Sequence, residues 1–306
     1  MSPAFNEKKN IIECYERVKR VFEENLNDYE YEHIFADNCS TDGTLPLLKT
    51  IAQNDKRIKV ISNSRNYGVF PSTFNAILKS SGDAIIPMLP VDLQDPPEIL
   101  PQFIKEWEKG FKVVAGNRKN REENFILKNI RKLYYLIISK ISNFELPQNV
   151  GEFQLIDKDV VQALKLFDDY NPYIRGMIAS CGFPSTTIYY KHVKRKYGKS
   201  KFSLLSYFDT SLNALISVSN MPMRVSFFAG LAISLSSIFW ASFILFETLV
   251  SNKQLAQPGV TSLLIGVFFF NGVILLFLGL IGEYISAIHS QVRKKPLVIE
   301  KENINF

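Results

Sequence analysis

Two stretches near the C-terminus carry no charged residue: 22 residues from Val225 to Phe246, and 29 from Gln254 to Gly282. Each exceeds the roughly 20 apolar residues a helix needs to cross a bilayer. Phe227-Phe228, Phe239-Trp240 and Phe268-Phe269-Phe270 make both stretches apolar all round, unlike a half-buried surface helix. A buried hairpin of core helices is the competing reading. Neither stretch is a signal peptide, because both lie far from the N-terminus. Lys191, Lys194, Arg195, Lys196, Lys199, Lys201 and Arg224 precede the first, and Arg293, Lys294 and Lys295 follow the second. Lys253 is the only basic residue between them. Positive charge favours the cytoplasmic side, which predicts a multi-pass protein of the cell (inner) membrane with both termini and the preceding domain in the cytoplasm. The net charge of +6 then forms a basic collar facing anionic headgroups. Nucleic acid is not an expected partner, since the basic residues concentrate beside the spans. Cys14, Cys39 and Cys181 read as free thiols of a reducing compartment, and His33, His192 and His289 have no metal-ligand spacing.

The 306 residues accommodate one large domain and an appendage. The pattern divides them into a domain at 1–205, a juxtamembrane amphipathic segment at 206–224, two membrane helices at 225–288 and a tail at 289–306. Before about 205, strand and helix patterns alternate. Helices are expected over Ile11–Phe22, Leu45–Ile51, Thr73–Leu78 and Ile99–Trp107. Strands are expected over Tyr31–Ala36, Ile58–Ile61, Ala84–Leu89 and Lys112–Ala115. Such βαβ alternation implies an α/β fold with a mixed, mostly parallel sheet covered by helices. Ligands of such sheets gather at the carboxyl ends of the strands.

Three segments place chemistry at such ends. Ala84–Leu89 runs into Pro90-Val91-Asp92-Leu93-Gln94-Asp95-Pro96-Pro97-Glu98, where acid and amide oxygens offer hard ligands to Mg²⁺ or Mn²⁺. The bland alternative is an acidic loop in which Asp95 caps the helix opened by Pro96-Pro97. Ile34-Phe35-Ala36 leads into Asp37 to Thr44. There Asp37 can accept hydrogen bonds from a base or ribose, Ser40 and Asp42 can fix the loop, and Asp42 or Thr44 can cap the next helix. The opening Ser2 to Glu7 forms a third loop, with Asn6 as an expected N-cap. Residues 122–143 and 204–218 carry apolar residues at helical spacing among basic ones. They read either as helices lying in the headgroup plane or as ordinary packing helices.

With these loops in place the chain resembles the family-2, GT-A-fold glycosyltransferases, and more narrowly the polyprenyl-phosphate hexosyltransferases (dolichyl-phosphate mannosyltransferase and bactoprenol glucosyltransferase types). Pro3-Ala4-Phe5-Asn6-Glu7 matches the family's first nucleotide loop, and Asp37 to Thr44 its uridine or guanosine loop. Ser64-Arg65-Asn66-Tyr67-Gly68 is similar to the loop entering the next helix, and Asp92 to Glu98 to the metal segment. Gly279-Leu280-Ile281-Gly282-Glu283-Tyr284-Ile285 is similar to the signature of the second membrane helix. The resemblance implies an inverting transfer of a hexose from UDP- or GDP-hexose to polyprenyl phosphate, with a divalent cation on Asp92 and Gln94. It implies nucleotide-sugar contacts from Pro3, Phe5, Glu7, Asp37, Ser40, Asp42, Asp92 and Gln94, and catalytic roles for Asp92 and Glu152. Acceptor phosphate would meet Arg118, Arg131, Arg175, Ser200 and Lys201, with Arg195 a further candidate cation; each arginine also reads as a headgroup-facing charge. Self-association through the membrane helices is implied as well. Transfer to another lipid acceptor, and a weakened pseudoenzyme or scaffold that binds nucleotide sugar, are the alternatives.

Three departures stand out. Pro90 replaces the first acid of the family's Asp-x-Asp. Gly151-Glu152-Phe153-Gln154-Leu155 replaces Gly-Asp-Phe-Arg-Leu, which lengthens one carboxylate and removes a positive charge. The apolar strand expected before Pro3 is almost absent, which suggests a start upstream of Met1.

Overall fold

A computed structural model describes residues 1–119, 150–193, 195–197, 221–251, 259–293 and 295–306. The chain divides into two units, Met1–Val218 with Lys294–Phe306, and Ser219–Arg293.

In the first unit, β1 (Ser2–Ala4), β2 (His33–Asp37) and β3 (Ile58–Asn63) are parallel neighbours. They are linked by α1 (Lys8–Asn25) and α2 (Thr44–Asn54). Parallel neighbours need crossover helices, and these helices need an apolar stripe to pack. Ile11 and Cys14 of α1, with Leu48 and Ala52 of α2, bury against Phe35 and Val60. Ile34, Ala36 and Ile61 point to the opposite face, against Ala76 of α3 (Val69–Leu78). Strands buried on both faces read as continuous apolar runs, which is how Ile34-Phe35-Ala36 is written.

A second sheet has the order β4 (Ala84–Ile85), β6 (Val150–Asp157), β5 (Val113–Lys119), β7 (Ser185–Lys191). The β4–β6 and β5–β6 pairs are antiparallel and β5–β7 is parallel. Among the described residues parallel pairing is thus confined to β1–β2–β3 and to β5–β7, and the architecture is a pair of mixed sheets rather than the mostly parallel one expected. Helices α4 (Leu100–Glu108), α5 (Lys158–Leu164) and α6 (Ile174–Ser180) also belong to this unit. Phe103 of α4 and Phe153 of β6 meet at its centre, with ring centroids 5.0 Å apart.

Two local expectations change. The strand expected over Ala84–Leu89 stops at Ile85, because Pro87 has no N–H to give a ladder and restricts Ile86 before it. The start of the chain does form a strand: the Met1 amine donates to the Ile86 carbonyl at 2.8 Å, and Leu89 N–H donates to the Met1 carbonyl at 2.7 Å. This strand is shorter than β2, so His33 and Ile34 have no partner on it. A cavity of about 360 Å³ lies there, lined by Ile34, Ile85, Trp107 and Leu155 among others.

Residues 289–306 read from sequence only as a tail. Within them Glu300–Ile304 forms β8, antiparallel to β3 and beside Asn63. Glu300 takes the Lys79 ammonium and the Asn75 amide, and Lys49 pairs with Glu302. Asn305, in the left-handed region at φ 62°, donates to the carbonyls of Ala52 (2.7 Å) and Ile58 (2.8 Å).

The second unit consists of α7 (Met221–Ser251) and α8 (Val260–Val292). Among the described residues one stretch, Phe269–Val292, is long and apolar enough to cross a membrane. The apolar stretch identified in α7, Met223–Ile233, is shorter, so the expected pair of spans is met by one. Many side chains of α7 beyond Ile233 lie outside those described. The candidate surface helix at 122–143, the segment at 204–218 and nearly all of the expected 206–224 segment lie outside the described residues.

Replacing Asn305 by Ala removes two hydrogen bonds and the side-chain type that best tolerates left-handed backbone. Unfolding should become easier by about 1–2 kcal/mol, read as a lower urea midpoint at unchanged slope.

Candidate functional site

Parallel β1 and β2 deliver their following loops to one edge of the sheet. Those loops are stitched together. Ser40 Oγ accepts from Asn6 N–H at 2.9 Å, and Asn6 Oδ1 accepts from Thr41 N–H at 2.7 Å. Thr44 Oγ1 accepts from Glu7 N–H at 3.0 Å, and Asp42 Oδ2 accepts from Lys8 N–H at 3.1 Å. The orphan amides at the start of α1 are thus served by residues of the other loop. Asn6, the expected cap, instead adopts φ 56° and bonds across; Glu7 holds the N-cap position. Asp42 also accepts from Thr44 N–H at 3.0 Å, but the N-cap of α2 is Gly43, not the expected Asp42 or Thr44.

Asp37 ends β2 and is fully buried. Its Oδ2 accepts from Ser40 N–H at 3.2 Å, while Oδ1 has no hydrogen-bond partner among the described residues. Burial pushes its carboxyl above the ordinary range despite the help from Ser40. A buried acceptor without a donor is costly, and a ligand N–H or O–H would satisfy it. Next to it, Asn38 bonds the Gly68 carbonyl, Asn63 Nδ2 and Tyr67 N–H, which fastens the loop after β3.

The third loop turns on Leu93. Leu93 N–H donates to the Pro90 carbonyl at 3.0 Å, and Leu93 lies at φ 58° although its side chain is buried. A non-glycine residue held there costs on the order of 1 kcal/mol. The turn sets Asp92 and Gln94 on either side of a buried anchor. Asp92 Oδ1 accepts from Gln94 N–H at 3.2 Å. Burial raises the Asp92 carboxyl pKa, with Gln94 N–H and Arg195 pulling against it and Glu7 adding to the rise.

Asp95 does not cap the following helix. Its side chain is buried and receives Arg118 through two bonds (Nε–Oδ1 3.1 Å, Nη2–Oδ2 2.8 Å), the Tyr190 hydroxyl at 2.5 Å and His192 Nδ1 at 3.0 Å. Burial works to raise its pKa, but His192, Arg118 and Tyr190 outweigh it, and the net shift is downward. Arg118 and Tyr190 come from neighbouring strands, so this one carboxylate fixes the loop to both.

Residues 1–165, more than half of the chain, match Glycosyl transferase family 2. The chain belongs to that family. The SfII prophage-derived bactoprenol glucosyl transferase of Shigella flexneri is 33% identical over 302 residues, covering 98% of this chain and 96% of that protein. The putative glycosyltransferase CsbB of Bacillus subtilis (strain 168) is also 33% identical over 302 residues, covering 98% and 90%. Among solved structures, a mannosyltransferase from Pyrobaculum calidifontis in complex with GDP-Man and Mn²⁺ aligns with a TM-score of 0.45. Identity is 15%, with coverage of 82% of this chain and 86% of that one.

In this glycosyltransferase the expected acceptor cations divide. Arg118 is committed to Asp95 and packs over Gly151. Arg175 donates to the Val150 carbonyl at 2.5 Å and to the Tyr173 hydroxyl. Arg131, Ser200 and Lys201 lie outside the described residues. Glu152 has one oxygen without a partner among the described residues. Burial raises its pKa against the pull of Arg175 and Arg118. Pro3 lies in β1 opposite Ala36, with Phe5 following the strand. The sequence reading missed Asn38, Asn63, Tyr190 and the true role of Asp95. A buried carboxylate beside two prolines looks the same in sequence as a helix cap.

Asp95→Asn should lower stability by about 3 kcal/mol, because it leaves Arg118 without its counter-charge. The folded-state pKa of Asp95 is depressed. Its contribution is therefore complete above the unfolded value of about 3.9 and lost as pH falls through the folded value. Denaturant midpoints of wild type and variant should converge as pH drops from 6 to 2. A constant gap would contradict this.

Proposed function

We propose that this glycosyltransferase moves a hexose, with inversion, from UDP- or GDP-hexose to polyprenyl phosphate at the cytoplasmic face of the inner membrane. The observation that carries the reading is the stitching of the Glu7 and Asp37 loops, with Asp92 tied to Glu7 through Arg195 and an Asp37 oxygen that has no donor among the described residues. Relatedness over nearly the full length to proteins called bactoprenol glucosyl transferases supports the acceptor class. The Phe269–Val292 stretch supports membrane association, as does the charge-free length of 225–246, taken as a second span.

In this reading Pro3, Phe5, Glu7 and Asp37 line the nucleotide, with Asp37 Oδ1 accepting from base or ribose. Ser40 and Asp42 act as struts that hold Asn6 and Lys8 in place, with Thr44 holding Glu7 between them. The donor set suits a divalent ion held by the Asp92 carboxylate and the Gln94 amide oxygen. Pro90 supplies no ligand, and no group of three His, Cys, Asp or Glu residues gathers among the described residues. Phosphate oxygens and water would complete a shell of the kind Mg²⁺ takes with one or two carboxylates. Such an ion, when bound, supplies charge neutralisation for the departing diphosphate. The acceptor phosphate is already ionised near neutral pH, so it needs orientation more than proton removal. Glu152 and Arg175 provide it, together with Arg131, Ser200 and Lys201. Arg118 contributes by holding the Asp92 loop through Asp95.

Full-length protein should be stabilised by UDP- or GDP-sugar in the presence of Mn²⁺, by about 2.7 kcal/mol at a hundredfold excess over Kd. Asp92→Ala should abolish that shift and lower transfer to polyprenyl phosphate at least about 100-fold while the melting temperature of the free protein holds. No affinity for any sugar nucleotide, with or without divalent ions, would end the proposal.

A further inference from the structure

Arg195 stands between the two acidic loops. Its Nη2 lies 2.5 Å from Glu7 Oε1 and its Nη1 lies 3.3 Å from Asp92 Oδ2. Nε donates to the Tyr197 carbonyl at 2.6 Å, which fixes the plane of the guanidinium. Val193 N–H donates to the Gln94 carbonyl at 2.9 Å, so the segment after β7 runs along the loop that holds Asp92. All three charged side chains are largely buried: 18% exposed for Arg195, 12% for Glu7 and 13% for Asp92. Glu7 Oε2 is engaged by the Asn10 amide at 2.6 Å, so this carboxylate does not turn freely.

Two largely buried carboxylates facing one point require a cation between them. Arg195 is that cation. Asp92 Oδ1 accepts from Gln94 N–H, and Arg195 Nη1 faces the other oxygen, Oδ2. We infer that Arg195 and the divalent ion compete for Asp92, and that the nucleotide diphosphate resolves the competition. This rests on the functional reading given above. An ion arriving alone must displace the guanidinium and leave it without its second partner. An ion arriving with a diphosphate does not, because a guanidinium released from Asp92 but still held by Glu7 can fork onto phosphate oxygens. Metal and nucleotide then strengthen each other's binding, by linkage, through Arg195. Arg195 is a positioning residue and a guard against metal binding without a donor.

Mn²⁺ binding to the full-length protein in detergent, read from the electron-spin-resonance signal of free Mn²⁺, tests this without any turnover. Arg195→Gln should bind Mn²⁺ alone about tenfold more tightly than wild type, within the usual range for coupled sites. UDP or GDP should tighten Mn²⁺ binding markedly in wild type and little in the variant. Arg195→Lys keeps the charge but not the fork and should fall between. The gain in Arg195→Gln should vanish when Asp92→Ala is added. Equal affinity of wild type and Arg195→Gln for Mn²⁺ alone, with nucleotide-dependent binding intact in both, overturns this inference and leaves the functional reading standing. Failure of wild type to bind Mn²⁺ even with UDP or GDP overturns the inference together with the metal assignment.

Discussion

The site depends on one buried carboxylate. Asp95 gathers Arg118 from β5, Tyr190 from β7 and His192 just beyond it, and so fastens the Pro90–Asp95 loop to two strands of the second sheet. Breaking such a cluster costs far more than an exposed ion pair, since an uncompensated charge is left out of water. With the loop's far end fixed, the left-handed turn at Leu93 can be sustained, and that turn presents Asp92 and Gln94. A rigid base under a strained turn gives side chains with little freedom to relax, which is what orienting a diphosphate requires.

The same device recurs at all three loops. Asn6, Cys39 and Leu93 each adopt positive φ, one per loop. Asn tolerates this conformation; Cys and Leu do so only when their surroundings impose it. In the first two loops the imposing agent is the cross-stitching of Asn6, Ser40, Thr41 and Thr44. In the third it is the pair Leu93 N–H to Pro90 carbonyl, with Asp95 behind it. The first two strand ends are therefore a cooperative assembly, in which loosening one loop frees donors and acceptors of the other.

Much of the first sheet was legible in sequence. The apolar runs at Ile34–Ala36 and Ile58–Ile61, the helix stripes between them and the loops after each strand all fall where the pattern places them, because burial on both faces leaves so few alternatives. The second sheet was read less well. Prolines at 87 and 90 cut short an apolar run that otherwise reads as a strand. In the first sheet, the C-terminal strand Glu300–Ile304 carries the charge of an edge and has a single apolar residue, Ile304. Its place beside β3 depends on pairing across more than 200 residues.

By itself the sequence determined the order of strands and helices, the acidic and amide chemistry at three strand ends, and the charge-free lengths near the C-terminus. These are properties of short segments, set by periodicity and residue type. Only the tertiary structure decided which charges are committed. It turned Asp95 from a presumed cap into the anchor of Arg118 and placed Arg195 between Glu7 and Asp92, because partners separated by 23, 188 and 103 positions meet only when the chain is packed.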